Sequence, residues 1–302
     1  MAQGFDKPGD RNPLSLAHAV CKSSGLRLGG FFDSDPVRAK AAEAKWQCPE
    51  TPRERVKWLQ LPWDIVCIAT PDDQHAHDLH DVIALKPKAI LVEKPLATDP
   101  ADGTRLLKEA GRLETALLVD FPRRFHSGVQ MVSQLIADGN LGAPIAGVFI
   151  YSGNANRSAS HMLDLFCTWW GGEWSVEMKG RHGGASLVDF SGDTARMTAT
   201  FIETPASRYV WEMRIFCEYG KVELSNSPET LMVDLFAPHP LYPAFNVLTR
   251  KHSFDMESEP LLGRTFELLR QIAVDPAQAV IQLKRESESQ QFSGKVLDLV
   301  VS

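Results

Sequence analysis

Long apolar runs are missing from this 302-residue chain. None approaches the ~18 residues that a membrane helix needs, so no membrane partner is expected. Basic blocks are missing too. Lys and Arg total 32 against 38 Asp and Glu, for a formal net charge of −6, which argues against nucleic acid as a partner. Cysteine is sparse. Cys21, Cys48, Cys67, Cys167 and Cys217 are widely spaced with no Cys-x-x-Cys pair, and they read as the reduced thiols of a cytoplasmic protein. The opening Met1 to Asp6 has neither the basic region nor the apolar stretch of a signal peptide. No internal repeat or low-complexity stretch is present. What remains is ordinary globular material, 44% hydrophobic and 23% charged, with enough length for two domains.

Two strings stand out against this background: Ala69-Thr70-Pro71 and Glu93-Lys94-Pro95. Each closes an apolar run that reads as a buried parallel strand, Asp64 to Ala69 and Ala89 to Val92. Between them, Asp72 to Leu85 has helical length and an acidic start. This is a βαβ unit with polar chemistry at the carboxyl ends of both strands, where open α/β sheets bind ligands. Lys94 is therefore a candidate for proton handling; the plain alternative is a snorkelling lysine at a strand end.

The rest of the first ~120 residues alternates in the same way. Asn12-Pro13, Asp35-Pro36 and Asp99-Pro100 each start a helix as a cap followed by proline, reaching about Ser24, Ala44 and Arg112. Strands are expected over Leu26 to Phe32 and Thr115 to Val119. A helix from about Arg124 to Ala137 follows, and then the period changes. Met197, Ala199 and Phe201 alternate with Thr198 and Thr200, and Trp211, Met213 and Ile215 with Glu212 and Arg214. Period two with one polar face predicts antiparallel strands covered on one side. Glu218-Tyr219-Gly220-Lys221 reads as a hairpin turn, and helices are expected near Pro260 to Ala273 and Glu286 to Val300. The expected class is α/β: a Rossmann-like doubly wound parallel sheet over residues 1–121, then an α+β domain over 122–302 with a large, mostly antiparallel open sheet. An open apolar sheet face commonly pairs subunits, so a homodimer or homotetramer is expected.

In order and spacing, five strings resemble the glucose–fructose oxidoreductase / inositol dehydrogenase family (Gfo/Idh/MocA). They are Phe32-Asp33-Ser34-Asp35-Pro36, Ala69-Thr70-Pro71 with His75, Glu93-Lys94-Pro95-Leu96-Ala97, Pro122-Arg123-Arg124-Phe125 and Ser160-His161-Met162-Leu163-Asp164-Leu165. The resemblance covers nearly the whole chain. It implies a Rossmann domain followed by a domain with a large open sheet. It also implies reversible hydride transfer between NAD(P) and a carbinol carbon of a sugar, cyclitol or sugar nucleotide. Two departures accompany it. Met1 falls just before the third position of the family's Gly-x-Gly-x-x-Gly/Ala string and Ala2 falls on it, so the first strand and both leading glycines have no counterpart. Either the start lies too far downstream, or the form is deficient in cofactor. The second departure is Arg157, four residues before His161, where many relatives carry Asp.

The resemblance implies roles that each have a plainer alternative. Lys94 and His161 would be catalytic, the lysine stabilising or deprotonating the hydroxyl and the histidine exchanging its proton. His161 would start a helix; otherwise it is a helix-start or core histidine. Asp164, Arg124 and Asn156 would bind substrate, although Asp164 suits a helix cap or salt bridge equally and Asn156 lies in a turn-like stretch. Arg123 reads as a surface or ion-pair residue. Ala2, Asp33, Thr70, Pro71, His75, Glu93 and Lys94 would line the cofactor. Asp33, followed by Ser34 rather than Arg, favours NAD over NADP, unless it is only a turn residue. Thr70 and Pro71 also suit a plain strand–helix turn, and Glu93 either orients Lys94 or is a solvated charge. His77 and His80 can share a helix face but lack further ligands, so no metal is expected. The competing function is a non-catalytic sugar- or NAD-sensing regulator of the same fold, or an inactive truncated form.

Overall fold

The computed structural model describes residues 6–226 and 229–301. Contacts divide the chain into two compact units: the residues up to Pro122 with Pro260–Ser287, and Arg123–Glu259 with the residues from Glu288 on.

The first unit opens with α1 (Leu16–Lys22), α2 (Pro36–Trp46) and α3 (Arg55–Leu59). Then β1 (Ile65–Ile68), α4 (His75–Ala84), β2 (Ala89–Glu93), α5 (Pro100–Arg112) and β3 (Ala116–Asp120) alternate. Local chemistry sets the helix starts. The Asp35 and Asp99 carboxylates accept the Val37 and Ala101 N–H groups, and Pro36 and Pro100 occupy the first turns. The strands form one parallel sheet in the order β1-β2-β3, with Ile68 opposite Val92 and Val92 opposite Val119. Its faces bury Ile68, Leu79, Ile83, Ile90, Leu106 and Leu117 in a continuous core.

One expected strand is absent. Leu26 to Phe32 has no regular structure. A strand exists only by pairing, and among the described residues β1 pairs with β2 alone, so nothing supplies a ladder for this segment. Side chains hold it instead: Thr51 Oγ1 donates to the Phe31 carbonyl at 2.6 Å, and the Phe32 and Trp58 rings lie 6.0 Å apart.

The second unit begins with α6 (Ser127–Ala137), β4 (Pro144–Ser152) and α7 (Ala155–Trp169). Seven strands follow: β5 (Ser175–His182), β6 (Ala185–Ser191), β7 (Arg196–Thr204), β8 (Trp211–Cys217), β9 (Gly220–Asn226), β10 (Glu229–Pro238) and β11 (Asn246–Asp255). The eight-stranded sheet runs β11-β10-β9-β8-β4-β7-β6-β5, antiparallel except between β4 and β7. The α/β class with a large, mostly antiparallel sheet is as the sequence predicts. Period two is real: Met197, Ala199 and Phe201, then Trp211, Met213 and Ile215, are buried. The Phe166 ring of α7 lies within 5.5 Å of the Trp170, Trp174, Phe190 and Phe292 rings, which centres the core on that helix.

Two helices close the chain. Packing on α1, β2 and β3, α8 (Leu261–Ile272) belongs to the first unit, a return that the sequence reading does not anticipate. The last, α9 (Pro276–Val301), starts ten residues before its expected beginning, behind an Asp275 carboxylate that accepts the Ala277 N–H. Among the described residues no helix is long and apolar enough to cross a membrane.

Candidate functional site

In the first unit the polar strings meet at the carboxyl ends of the parallel strands. Thr70 and Pro71 are exposed, and a 3-10 turn over Asp72–Gln74 leads into α4. Lys94 is half-buried just beyond β2, followed by a cis peptide bond to Pro95. Between the two loops lies the His75 ring, 1% exposed, with Nδ1 2.6 Å from the Pro95 carbonyl oxygen and Nε2 2.8 Å from that of Thr70. The structure thus brings Thr70, His75 and Lys94-Pro95 together. His75 itself is buried between the two loops. Glu93 lies opposite Asp120 across the β2–β3 ladder. Burial, reinforced by the Asp120 and Glu93 charges, pushes the neighbouring Cys67 thiol up to about 12, so this cysteine is no thiolate nucleophile.

Asp33 is half-buried, and one of its carboxylate oxygens accepts the Asp35 N–H at 2.9 Å, the turn role its position allowed. Ala2 lies outside the described residues. The exposed His77 and His80 sit beside Asp81 and Glu109. No group of three or more His, Cys, Asp or Glu among the described residues is arranged to hold a metal ion.

In the second unit His161 is half-buried in the middle of α7, not at its start as the sequence suggests, because the helix begins six residues earlier behind Asn154. Its ring meets the Trp211 indole edge-on at 6.5 Å. Trp211 donates from Nε1 to the Ser158 carbonyl at 2.9 Å and carries the Arg123 guanidinium 4.5 Å over its ring. Arg123 in turn forks onto Glu229 at 2.6 and 3.0 Å, the ion-pair role read from sequence.

Arg124 and Asp164 are buried against each other. Arg124 is 0% exposed, and its Nε and Nη2 donate to the two Asp164 oxygens at 3.1 and 2.5 Å. Ser289 Oγ adds a third bond to Asp164 at 3.2 Å. Both side chains are buried, and the pair ties α7 to the segment around Arg124. Asn156 is exposed in the first turn of α7, close to exposed Arg157. Sequence reasoning missed Trp211 as a neighbour of His161 and Ser289 as a partner of Asp164. Both contacts join residues at least 50 positions apart and leave no local signal.

Residues 14–121 match the model of the GFO_IDH_MocA family, described as an oxidoreductase family with an NAD-binding Rossmann fold. Over those residues the match agrees with the resemblance read from the sequence. Solved structures share the fold along the whole chain. An NAD binding oxidoreductase from Klebsiella pneumoniae has a TM-score of 0.75 at 16% identity, covering 100% of this chain and 95% of its own. An inositol dehydrogenase homolog complexed with NAD+, from Azotobacter vinelandii, has a TM-score of 0.73 at 13% identity, covering 96% and 93%. A levoglucosan dehydrogenase in complex with NADH and levoglucosan has a TM-score of 0.72 at 12% identity, covering 99% and 95%. No curated protein matches the chain.

A nicotinamide dinucleotide fits the described residues at one end. Thr70 is exposed and Lys94 half-buried at the ends of β1 and β2, so a hydroxyl and an ammonium lie at the carboxyl ends of parallel strands, where a nicotinamide and its substrate would be held. The phosphates are not provided for in the same way. At the start of α1 the Leu14 and Ser15 N–H groups go to the Asp6 carboxylate, and the His18 N–H goes to Ser15 Oγ. Among the described residues, the N–H groups leading into the seven-residue α1 are thus taken by side chains of the chain itself rather than left for a phosphate.

Proposed function

We propose that this chain is an NAD(H)-dependent oxidoreductase acting on a hydroxyl-bearing carbon of a sugar, cyclitol or sugar nucleotide. The observation that carries this reading is Lys94, half-buried at the carboxyl end of β2 in a loop tied through His75 to the Thr70 loop. When bound, the dinucleotide supplies the hydride acceptor. The Lys94 ammonium offsets the negative charge that develops on the oxygen as the hydroxyl proton leaves. His161 is the second group assigned to that proton, through the resemblance. Arg124 and Asp164 support α7 and so support His161. Asp33, whose charge repels a 2′-phosphate, favours NADH over NADPH. The protein acts in the cytoplasm as a homodimer or homotetramer. Exposed Phe216, Phe236 and Leu248 on the large sheet support subunit pairing.

The first test is NADH binding, read by energy transfer from the seven tryptophans, with NADPH for comparison. Micromolar NADH binding and weaker NADPH binding are expected. Turnover over a panel of polyols should then fall at least ~100-fold in Lys94→Ala, as for loss of an oxyanion stabiliser. Undiminished turnover in that variant would remove Lys94 from the chemistry. The closed start of α1 favours a second reading, a non-catalytic sensor of the same fold. Failure of a folded chain to bind either dinucleotide, together with sugar binding, would establish that one.

A further inference from the structure

We propose that His75 is a positioning residue of the Lys94 site, a two-ended staple donating from both ring nitrogens. The proposal rests on the functional reading above for its importance, but not for its test. Both ring nitrogens face carbonyl oxygens, Pro95 at 2.6 Å and Thr70 at 2.8 Å. A carbonyl oxygen only accepts, so each contact is a hydrogen bond only if the nitrogen carries a proton. A neutral imidazole has one N–H and would aim a lone pair at the other oxygen at under 3 Å. The ring is 1% exposed, so water cannot take up the mismatch. The doubly protonated ring satisfies both acceptors at once, with the extra strength of a charged donor.

Placement gives the staple its consequence. Thr70 follows β1 and Pro95 follows β2 by two residues, so the ring spans the mouths of two adjacent parallel strands. Lys94 is bonded directly to Pro95. Pinning the Pro95 carbonyl restricts the backbone that carries Lys94, and pinning the Thr70 carbonyl sets the facing loop in register with it. A lysine at a strand end is otherwise one of the most mobile side chains in a protein. Preorganising it removes an ordering cost from each encounter with substrate.

The test needs neither cofactor nor substrate, so failure of the dehydrogenase reading leaves it intact. Ring nitrogen NMR of the folded full chain should show a proton on each His75 nitrogen. One bare ring nitrogen would overturn the proposal. Lysines carrying 13C-methyl labels provide a second readout, with the Lys94 signal identified by its loss in Lys94→Arg. In His75→Gln, which keeps one donor but cannot span both carbonyls, the Lys94 titration should move by about half a pH unit. His126→Gln, at a buried histidine of the second unit, should leave it in place. An unmoved Lys94 signal in folded His75→Gln would also overturn the proposal. If that variant does not fold, the ring spectrum of the unaltered chain decides alone.

Discussion

Arg124 and Asp164 occupy positions that the resemblance offers to a substrate, yet they are buried and hydrogen-bonded to each other. Removing one partner of such a pair strands a charge in the core. Asp164→Asn or Arg124→Met should cost about 3–5 kcal/mol in denaturant unfolding. A stability change under ~1 kcal/mol, with altered substrate binding, would return both residues to the ligand. The Asp234 carboxyl makes the contrasting case. Burial would raise it, but hydrogen bonds from Arg250 and Lys221 outweigh burial and hold it below its usual 3.8. A depressed carboxyl stabilises the fold fully above its unfolded value and loses that contribution as pH falls through the lower folded value. Asp234→Asn should therefore cost about 1–2 kcal/mol at pH 7, allowing for the half-exposed Arg250. That difference should close as unfolding is repeated below pH 3.8. Lys94 and its neighbours were legible as residues because strand-end chemistry is local. The His75 bridge was not, since ring contacts 20 and five positions away need the fold to be seen.

Elements were legible where their cause is local. Asp35-Pro36 and Asp99-Pro100 announce helices that the structure begins at Pro36 and Pro100. Asp275-Pro276 carries the same signature and marks the true start of α9, ten residues before the expected Glu286. Strands depend on partners far away, so Leu26 to Phe32 looks like a strand in composition and is none. The Glu218-Tyr219 turn between β8 and β9 was readable, but the need for glycine beside it was not. A Cβ on Gly220 would run into the Asp234 carbonyl oxygen and meet Leu141 and Leu235 side-chain atoms at 2.9 Å. Gly220→Ala should therefore cost at least ~2 kcal/mol, measured by thermal or denaturant unfolding. A neutral result would mean that β10 shifts freely at its Val233/Asp234 irregularity.

At the scale of the molecule, the parallel sheet has an asymmetry that hydrogen exchange will read. Among the described residues β2 is paired on both sides and β1 on one. Amides of Ile90 to Val92 should outlast those of Ile65 to Ile68 in deuterium exchange. Equal protection would require a further partner along β1. The large sheet carries its own test. Phe236 and Leu248 face each other across β10 and β11, both exposed. Phe236→Glu with Leu248→Lys should shift the sedimentation coefficient toward that of a monomer if copies pair there. An unchanged coefficient would place any pairing elsewhere.

The return of α8 to the first unit also has a meaning in time. A ribosome releases Pro122 about 140 residues before Pro260. At typical elongation rates that is roughly 7–30 s, during which β2 and β3 wait without the helix that packs on them. The nascent first unit must spend that interval as an unfinished sheet. The surface that α8 covers is then available to a chaperone, and the unit completes only once Pro260–Ser287 has been made.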